Sequence, residues 1–316
     1  MTTISQQAKA LGYAPTVVER WARFFGEDRT FRLMNALEQP IQSAIRINML
    51  REAHPEVLIH NLRTKGFELI QQADFPRFGY KIRSAAGSVG ATIEYLLGKI
   101  QLQSLSSQIP VEILNPQKGE AIADFCASPG TKLSQLAQWV NNQAIIVGLE
   151  KATRRIQRLK SNLTRLGCSA IIFRMDAIEA PRLDLRFDRI LVDAPCTGSG
   201  IIRKDKTRKA MKTREVKRLS RIQVSILSSA VECLQNPGKI VYSTCSLELE
   251  ENELVISQIL DRYPEISLKA LPELFGIEKG LDDTIDSRIS SELRKSGRLY
   301  PDADKEGFFI ALLHKE

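Results

Sequence analysis

The stretch Ala121-Ile122-Ala123-Asp124-Phe125-Cys126-Ala127-Ser128-Pro129-Gly130-Thr131-Lys132 decides the fold. It begins with a short apolar run that predicts a buried strand, and it continues through small residues and a glycine into a helical pattern. Small residues let the backbone approach a ligand closely, and a helix N-terminus offers free N–H groups. The stretch therefore predicts a strand, a ligand-binding loop and a helix, in that order.

Strand and helix patterns alternate after this loop. Further predicted strands cover residues 144–149, 170–174, 189–192 and 240–242, and helical spacing of apolar residues covers residues 152–166 and 216–234. Such alternation predicts a mostly parallel sheet flanked by helices, which is an α/β fold.

The chain before this region has a different pattern. Residues 1–80 predict a small N-terminal α/β domain, with helices near 14–25, 30–36 and 57–65 and a strand at Phe67–Gln71. Residues 81–115 predict a connector that packs on the main domain, and residues 116–316 predict the main domain itself.

Composition limits the classes of protein to consider. The chain has 316 residues and a formal net charge of +8, which suits a polyanionic partner. Its start is polar, and no apolar run approaches the roughly 18 residues of a membrane span, so we expect a cytoplasmic protein without a membrane partner. No obligate protein partner is evident.

Two acidic residues follow the second and third predicted strands of the main domain. Glu150 stands where an acid commonly accepts the ribose hydroxyls of a nucleotide, and Asp176 repeats that placement one strand later. The loop lacks the three glycines of a dinucleotide fingerprint, and its acidic surroundings suit a sulfonium cation. The pattern favours S-adenosylmethionine as cofactor over NAD, the weaker alternative.

Cys196 and Cys245 each follow a predicted strand, within Asp193-Ala194-Pro195-Cys196 and Ser243-Thr244-Cys245-Ser246. Because the carboxyl ends of parallel strands share one edge of a sheet, the two thiols could face one pocket. Such a pair is compatible with covalent, redox or metal chemistry. The five cysteines form no CxxC pair and the histidines are distant in sequence, so we expect no metal site and disfavour redox chemistry.

Several motifs together resemble the RNA cytosine-5 methyltransferases of the Nol/Nop/Sun family. They are Arg46-Ile47-Asn48, Ser106 to Pro110, the loop Cys126 to Lys132, Asp193 to Gly200, Tyr242 to Ser246 and Gly307 to Ala311. The resemblance covers the chain from about Ala44 to Lys315 and is closest in organisation to compact tRNA-type members. It implies a Rossmann-like S-adenosylmethionine-dependent methyltransferase domain with a small N-terminal RNA-binding domain.

The resemblance also implies roles for single residues. Cys245 would be the nucleophile that adds to C6 of cytosine, and Cys196 would assist release of the product; the residues alone leave the opposite assignment open. Asp193 and Lys132 would complete the catalytic set. The implied cofactor-binding residues are Cys126, Ala127, Ser128, Pro129, Gly130, Thr131, Lys132, Glu150, Arg155, Asp176 and Asp193.

RNA contacts are expected in two places. Residues 201–221 hold ten basic residues against two acidic ones, and Arg203 and Lys204 begin this run beside Cys196. Arg46 and Asn48 resemble an RNA-contacting motif of the family. We expect methylation of cytosine C5 in tRNA, with rRNA as the alternative substrate. A non-catalytic RNA-binding assembly factor and a thiol or nicotinamide oxidoreductase are the competing hypotheses.

Overall fold

The computed structural model of the protein describes residues 3–71, 76–273 and 275–316. Within these ranges the α-helices are α1 (Ile4–Leu11), α2 (Pro15–Phe25), α3 (Glu27–Glu38), α4 (Pro55–Thr64), α5 (Ile93–Leu96), α6 (Leu105–Leu114), α7 (Thr131–Trp139), α8 (Thr153–Leu166), α9 (Thr213–Cys233) and α10 (Glu253–Arg262).

The strands are β1 (Ala44–Ile47), β2 (Phe67–Gln71), β3 (Gly79–Ala85), β4 (Ile100–Leu102), β5 (Ala121–Asp124), β6 (Ile145–Leu149), β7 (Ile171–Phe173), β8 (Phe187–Asp193), β9 (Leu234–Thr244), β10 (Ile266–Lys269), β11 (Glu278–Lys279), β12 (Gly297–Leu299) and β13 (Phe308–Lys315).

The chain forms two compact units. The first contains residues 1–41, 194–228 and 242–314, and the second contains residues 42–193, 229–241 and 315–316. This grouping differs from the segments 1–80, 81–115 and 116–316 that the sequence predicts, and that division stays a prediction.

The second unit contains the parallel strands that the sequence predicts. Strands β8, β5, β6 and β7 are neighbours in that order, and β5 pairs in parallel with both β6 and β8. The chain therefore passes from β5 to β6 on one side and returns to β8 on the other. This reversal of strand order is the switch point at which open α/β sheets bind ligands, and it confirms the predicted Rossmann-like fold.

A four-stranded antiparallel sheet also belongs to the second unit, with the order β2-β3-β1-β4. Its apolar side packs with helix α4 through Ile45, Ile47, Leu58 and Leu62, which are nearly fully buried. Strands β3 and β4 come largely from the segment that the sequence predicts as a connector. The sequence pattern does not predict them because the alternation Tyr80-Lys81-Ile82-Arg83 covers only part of β3, and the three residues of β4 are too few to establish a period.

Helices α1 to α3 belong to the first unit. Their shared core contains Trp21, Met34 and Leu37, each completely buried, together with Leu247 from the chain that follows β9. The indole N–H of Trp21 donates to the carboxylate of Glu248 at 2.8 Å. The first unit also contains the antiparallel strands β11, β12 and β13.

A buried ion pair stabilises the first unit. The Arg298 guanidinium donates to both carboxylate oxygens of Glu253, with Nε at 2.6 Å from Oε1, and the two side chains are 1% and 0% exposed. Arg298 also donates to the carbonyl of Leu247 at 2.9 Å. Loss of one partner would leave the other charge buried without compensation.

We expect Glu253→Gln to lower the free energy of unfolding by about 3 kcal/mol, because the Arg298 charge then loses its only carboxylate partner among the described contacts. Urea denaturation measures this change. The control is Lys295→Ala, which breaks a surface pair with Glu292 whose side chains are 47% and 43% exposed, and which should cost less than about 0.5 kcal/mol. Equal costs for the two variants would contradict the assigned importance of the buried pair.

Candidate functional site

The two cysteines singled out by the sequence lie side by side in the first unit. Cys196 Sγ and Cys245 Sγ are 3.3 Å apart, and both thiols are reduced and partly exposed. Cys245 directly follows strand β9, and Cys196 comes three residues after the end of β8. The structure therefore brings together the two thiols that the strand-end patterns predict to be close.

Backbone hydrogen bonds hold the two cysteine segments against each other. The Ala194 N–H donates to the Ser243 carbonyl, and the Gly200 N–H donates to the Cys245 carbonyl, both at 2.9 Å. Gly200 has no room for a side chain, because an added Cβ would lie 2.4 Å from the carbonyl oxygen of Gly307. A glycine at this position permits the close approach of these segments.

The two sulfur atoms differ in their surroundings. The hydrogen bond with Cys245, burial and the nearby carboxylate of Glu251 raise the pKa of the Cys196 thiol well above its usual range. Cys196 therefore keeps its proton at neutral pH and can donate it in the contact with Cys245. A protonated Cys196 thus offers a hydrogen-bond donor to the sulfur of Cys245.

The predicted ligand loop lies in the second unit, between β5 and α7. Its backbone is fixed at both ends: the Ala127 N–H donates to the Leu149 carbonyl at 3.0 Å, and the Gly130 N–H donates to the Ala127 carbonyl at 2.7 Å. Gly130 has φ +98° and immediately precedes the first residue of α7, Thr131. A side chain there would be strained, so glycine is required at the point where the loop becomes a helix.

Four carboxylates follow the four neighbouring parallel strands of this unit. Asp193 ends β8, Asp124 ends β5, Glu150 follows β6 directly, and Asp176 lies three residues after β7. Burial and the charges of Asp193 and Glu150 raise the pKa of Asp124 to about 7, against the opposing effects of the Cys126 N–H and Lys132. The carboxyl edge of this sheet is therefore acidic, and it suits a ligand that carries positive charge.

Cys126 is a structural residue of the loop. Its N–H donates to Asp124 Oδ1 at 3.1 Å, and burial together with the charges of Asp124, Asp193 and Glu150 raises the pKa of its thiol well above the usual range. A thiol in these surroundings is a poor nucleophile.

Arg155 contacts the loop and the acidic edge together. Its guanidinium donates to the Ser128 carbonyl at 2.7 Å and lies 3.2 Å from Glu150 Oε2. Glu150 in turn accepts the Ala152 N–H at 2.7 Å. These contacts give Arg155 a part in orienting Glu150.

Lys132 and Asp193 form an ion pair in the second unit. Lys132 Nζ lies 2.7 Å from Asp193 Oδ2 and 3.0 Å from the Ser107 hydroxyl. Asp176 forms a similar but more exposed pair with Lys151 at 3.2 Å. The Lys132 ammonium group is well placed to orient the Asp193 carboxylate.

Two residues predicted to contact RNA are buried. Arg46 and Asn48 are both 0% exposed. Asn48 donates to the carbonyls of Gly98 and Leu166, both at 2.8 Å. As the structure stands, neither side chain can reach RNA, so the expectation drawn from the family motif is corrected here.

Arg46 instead supports helix α7. Its guanidinium donates to the Thr131 carbonyl and to the Ser134 hydroxyl, both at 2.8 Å, and to Gln103 Oε1 at 2.6 Å. Burial lowers its pKa to about 9, which reflects the absence of a carboxylate among these contacts. Arg46 thus joins strand β1 to the first turn of the helix that follows the ligand loop.

Arg203 and Lys204 are engaged within the first unit. Arg203 donates to the Asp302 carbonyl at 2.6 Å, and Lys204 lies 2.6 Å from Glu306. The following lysines, Lys206 and Lys209, both pair with Glu38. Part of the positive charge of this segment is therefore neutralised by the protein itself.

The first unit also contains a cavity of about 740 Å³ that is lined in part by lysine and arginine side chains, and we call it the basic cavity. Its lining residues are Thr197, Asp205, Thr207, Arg208, Ala210, Met211, Lys212, Arg214, Glu215 and Arg218. One of its lining residues, Thr197, directly follows Cys196 in the chain. Its cations Lys212, Arg214 and Arg218 are exposed. The sequence predicts the charge of this segment, but it does not predict which cations face solvent.

A family model described as 16S rRNA methyltransferase RsmB/F matches residues 111–314. The chain belongs to this family. It is 33% identical to a tRNA (cytosine(49)-C(5))-methyltransferase of Pyrococcus abyssi, over 95% of each chain. It is also 34% identical to the 25S rRNA (cytosine-C(5))-methyltransferase nop2 of Schizosaccharomyces pombe, over 96% of this chain but 51% of that protein.

A solved structure of a methyltransferase homologue from Pyrococcus horikoshii has the same fold, with a TM-score of 0.89, 34% identity and 99% coverage of both chains. The chain spans about half or less of the eukaryotic rRNA methyltransferases that it matches. The family predicted from the sequence motifs is confirmed, and methyltransferases of this kind use S-adenosylmethionine.

No helix among the described residues is both long and apolar enough to cross a membrane.

The raised pKa of Asp124 predicts a pH dependence of stability. The folded protein binds this proton more tightly than the unfolded chain, in which the pKa is about 3.8, so the free energy of unfolding should fall as pH rises from about 4 to 7. The contribution of Asp124 is about 2 to 4 kcal/mol and is fully lost above pH 7. Asp124→Asn should remove this part of the slope while it keeps an acceptor for the Cys126 N–H.

Urea denaturation at a series of pH values measures the slope, and the difference between wild type and variant isolates Asp124 from other titrating groups. Asp184→Asn changes an exposed carboxylate of the same unit and serves as the control. Identical pH slopes for wild type and Asp124→Asn would contradict the pKa shift.

Proposed function

We propose that the protein methylates carbon 5 of cytosine in RNA, with S-adenosylmethionine as the methyl donor. The contact between Cys196 Sγ and Cys245 Sγ at 3.3 Å carries this proposal. Two adjacent reduced thiols suit a reaction that first forms and then breaks a bond between sulfur and a pyrimidine ring. Membership of the RsmB/F family supports the same reaction.

The acidic edge of the second unit fits the cofactor. Burial, and after it the charges of Asp193 and Glu150, raise the pKa of Asp124, and a sulfonium cation would relieve the repulsion among these carboxylates. Glu150 and Asp176 would hold the ribose hydroxyls, and the loop Cys126 to Lys132 would line the remainder through its backbone. When bound, the cofactor would supply an electrophilic methyl group, and the broken sulfur–methyl bond would leave its electron pair on sulfur as a neutral thioether.

In the proposed reaction Cys245 attacks as a thiolate. Its sulfur bonds to C6 of cytosine, the electron pair of the C5–C6 double bond moves toward C5, and C5 takes the methyl group. Loss of the C5 proton to a base then restores the double bond and expels the Cys245 thiolate. The raised pKa of Cys196 supports this assignment, because the protonated neighbour can stabilise sulfur as it departs.

Asp193 and Lys132 would act on the pyrimidine ring. A carboxylate at cytosine N3 stabilises the protonated ring and makes C6 more electrophilic. Lys132, at 2.7 Å from Asp193, would keep that carboxylate oriented. Asp193 stands three residues before Cys196 in the chain, so one short segment carries both functions.

Transfer RNA is the preferred substrate in this proposal. The archaeal tRNA methyltransferase matches this chain over 95% of both lengths, whereas the eukaryotic rRNA enzymes contain long additional regions outside the match. Ribosomal RNA is the alternative, and the description of the matching family model favours it. Bisulfite mapping of total RNA with and without the protein distinguishes the two.

We expect Cys245→Ala to abolish methyl transfer, because no other thiol would attack C6. Cys196→Ala should instead accumulate a protein–RNA adduct that survives denaturing gels, because methyl transfer still occurs but release is slow. Cys168→Ala is the control, since burial raises the pKa of that thiol to about 11 and no role is assigned to it. An adduct that persists in Cys245→Ala and disappears in Cys196→Ala would reverse the two roles.

The exposed cations of the basic cavity are proposed to bind RNA phosphates, together with Lys204, whose side chain is 53% exposed. The triple change of Lys212, Arg214 and Arg218 to Ala should weaken RNA binding about tenfold at low salt and lower the slope of log affinity against log salt by about 2 to 3. Filter binding over a salt titration measures both quantities.

The matched control removes three exposed cations from helix α8, through Arg154, Arg158 and Lys160 to Ala. It changes the net charge equally and should leave binding closer to wild type. Equal losses for the two triple variants would mean that only overall charge matters and would contradict the assigned surface.

A further inference from the structure

Glu251 lies at the centre of a buried polar network that links the two cysteine segments. Its side chain is completely buried, and both of its oxygens accept hydrogen bonds. Thr197, which follows Cys196, donates its N–H to Oε1 at 3.0 Å and its hydroxyl to Oε2 at 2.6 Å. Ser246, which follows Cys245, donates its hydroxyl to the same Oε2. One carboxylate thus contacts the residue immediately after each thiol.

Gln223 of helix α9 completes the network. Its amide donates to Glu251 Oε1 at 3.2 Å and to the Pro195 carbonyl at 2.8 Å. Cys196 is therefore held on both sides, through Pro195 before it and Thr197 after it. The carbonyl of Glu251 accepts the Tyr242 hydroxyl at 2.6 Å, which fixes the backbone that carries the carboxylate.

The chemistry of this network requires a carboxylate. Four donors converge on two oxygens, and a carboxylate is acceptor-only, with about four lone-pair sites. Among the residues that the structure describes, no lysine or arginine pairs with Glu251. Burial raises the pKa of Glu251, and the hydrogen bonds from Ser246 and Thr197 oppose that rise, so these charge-assisted hydrogen bonds stabilise the ionised carboxylate. A buried carboxylate without a cationic partner lowers the stability of the fold, so stability alone does not account for Glu251 at this position.

We propose that Glu251 is a positioning residue that holds Cys196 and Cys245 at contact distance, so that release of the RNA adduct can follow methyl transfer. Its carboxylate also faces Cys196 with negative charge, which favours the thiol form of that side chain. The role in release rests on the proposed function, whereas the role in holding the thiols together does not.

The first test needs no RNA. Diamide oxidises two adjacent thiols to a disulfide and is itself reduced to the hydrazine, and mass spectrometry of peptides identifies the Cys196–Cys245 bond. Glu251→Gln should slow formation of this bond about tenfold or more, because its amide N–H₂ meets donors where the carboxylate accepts them.

Glu248→Gln is the matched control. Glu248 is also completely buried and lies three residues earlier, but its carboxylate binds Arg20 and Trp21 instead of the cysteine segments. Its disulfide rate should match wild type. Urea denaturation of both variants reports whether each is folded, and Glu251→Gln is preferred to alanine because it keeps the side-chain volume.

The second test uses RNA and separates positioning from general damage. A loss of folded enzyme lowers methyl transfer and adduct in equal proportion, whereas a displaced Cys196 slows release alone. The ratio of denaturant-stable adduct to methylated product should therefore rise about tenfold in Glu251→Gln and stay unchanged in Glu248→Gln.

The outcomes are distinguishable. Wild-type disulfide rates and adduct ratios in Glu251→Gln, or equal changes in Glu248→Gln, would overturn the inference. A slower disulfide without a higher adduct ratio in an active enzyme would overturn the role in release. If wild-type protein methylates no cytosine while Glu251→Gln still slows the disulfide, the proposed reaction fails and the positioning of the thiols by Glu251 stands.

Discussion

The parallel pairing of β5 with both β6 and β8 is the constraint on which the candidate site depends. Parallel strands end at the same edge, so residues far apart in sequence come together there without any long-range signal in the sequence. In the second unit Asp193, Asp124 and Glu150 lie at this edge. The mutual repulsion of these carboxylates follows directly from the strand order, and together with burial it raises the pKa of Asp124.

Elements with a strong local signal could be predicted from the sequence. The strand Ala121–Asp124 has its predicted bounds, and the helix predicted at 152–166 begins one residue later, at Thr153. Both carry apolar residues at the spacing of their structure. Strand β4 could not be predicted, because three residues are too few to establish a period and its pairing with β1 depends on tertiary contacts.

The candidate site was predictable where chemistry requires particular residue types, as at Cys196 and Cys245. It was not predictable where burial decides the role. Arg46 was expected to contact RNA because Arg46 and Asn48 resemble a motif of the family, and only the fold shows that this charged side chain is completely buried. The sequence also did not indicate a role for Glu251, because the acidic segment from Glu248 to Glu253 resembles a solvated surface. In the structure Glu248, Glu251 and Glu253 are all completely buried.

The contacts of Arg46 have a consequence for how this protein can be altered. Arg46, on strand β1 of the four-stranded sheet, donates to the carbonyl of Thr131. Thr131 is the first residue of α7, the helix that follows the predicted ligand loop. The sheet therefore supports that loop and is not a module that could be exchanged for a different domain. A graft that replaced residues 42–102 would have to place a buried guanidinium at the same position, or the loop Cys126 to Lys132 would lose a support although none of its own residues had changed.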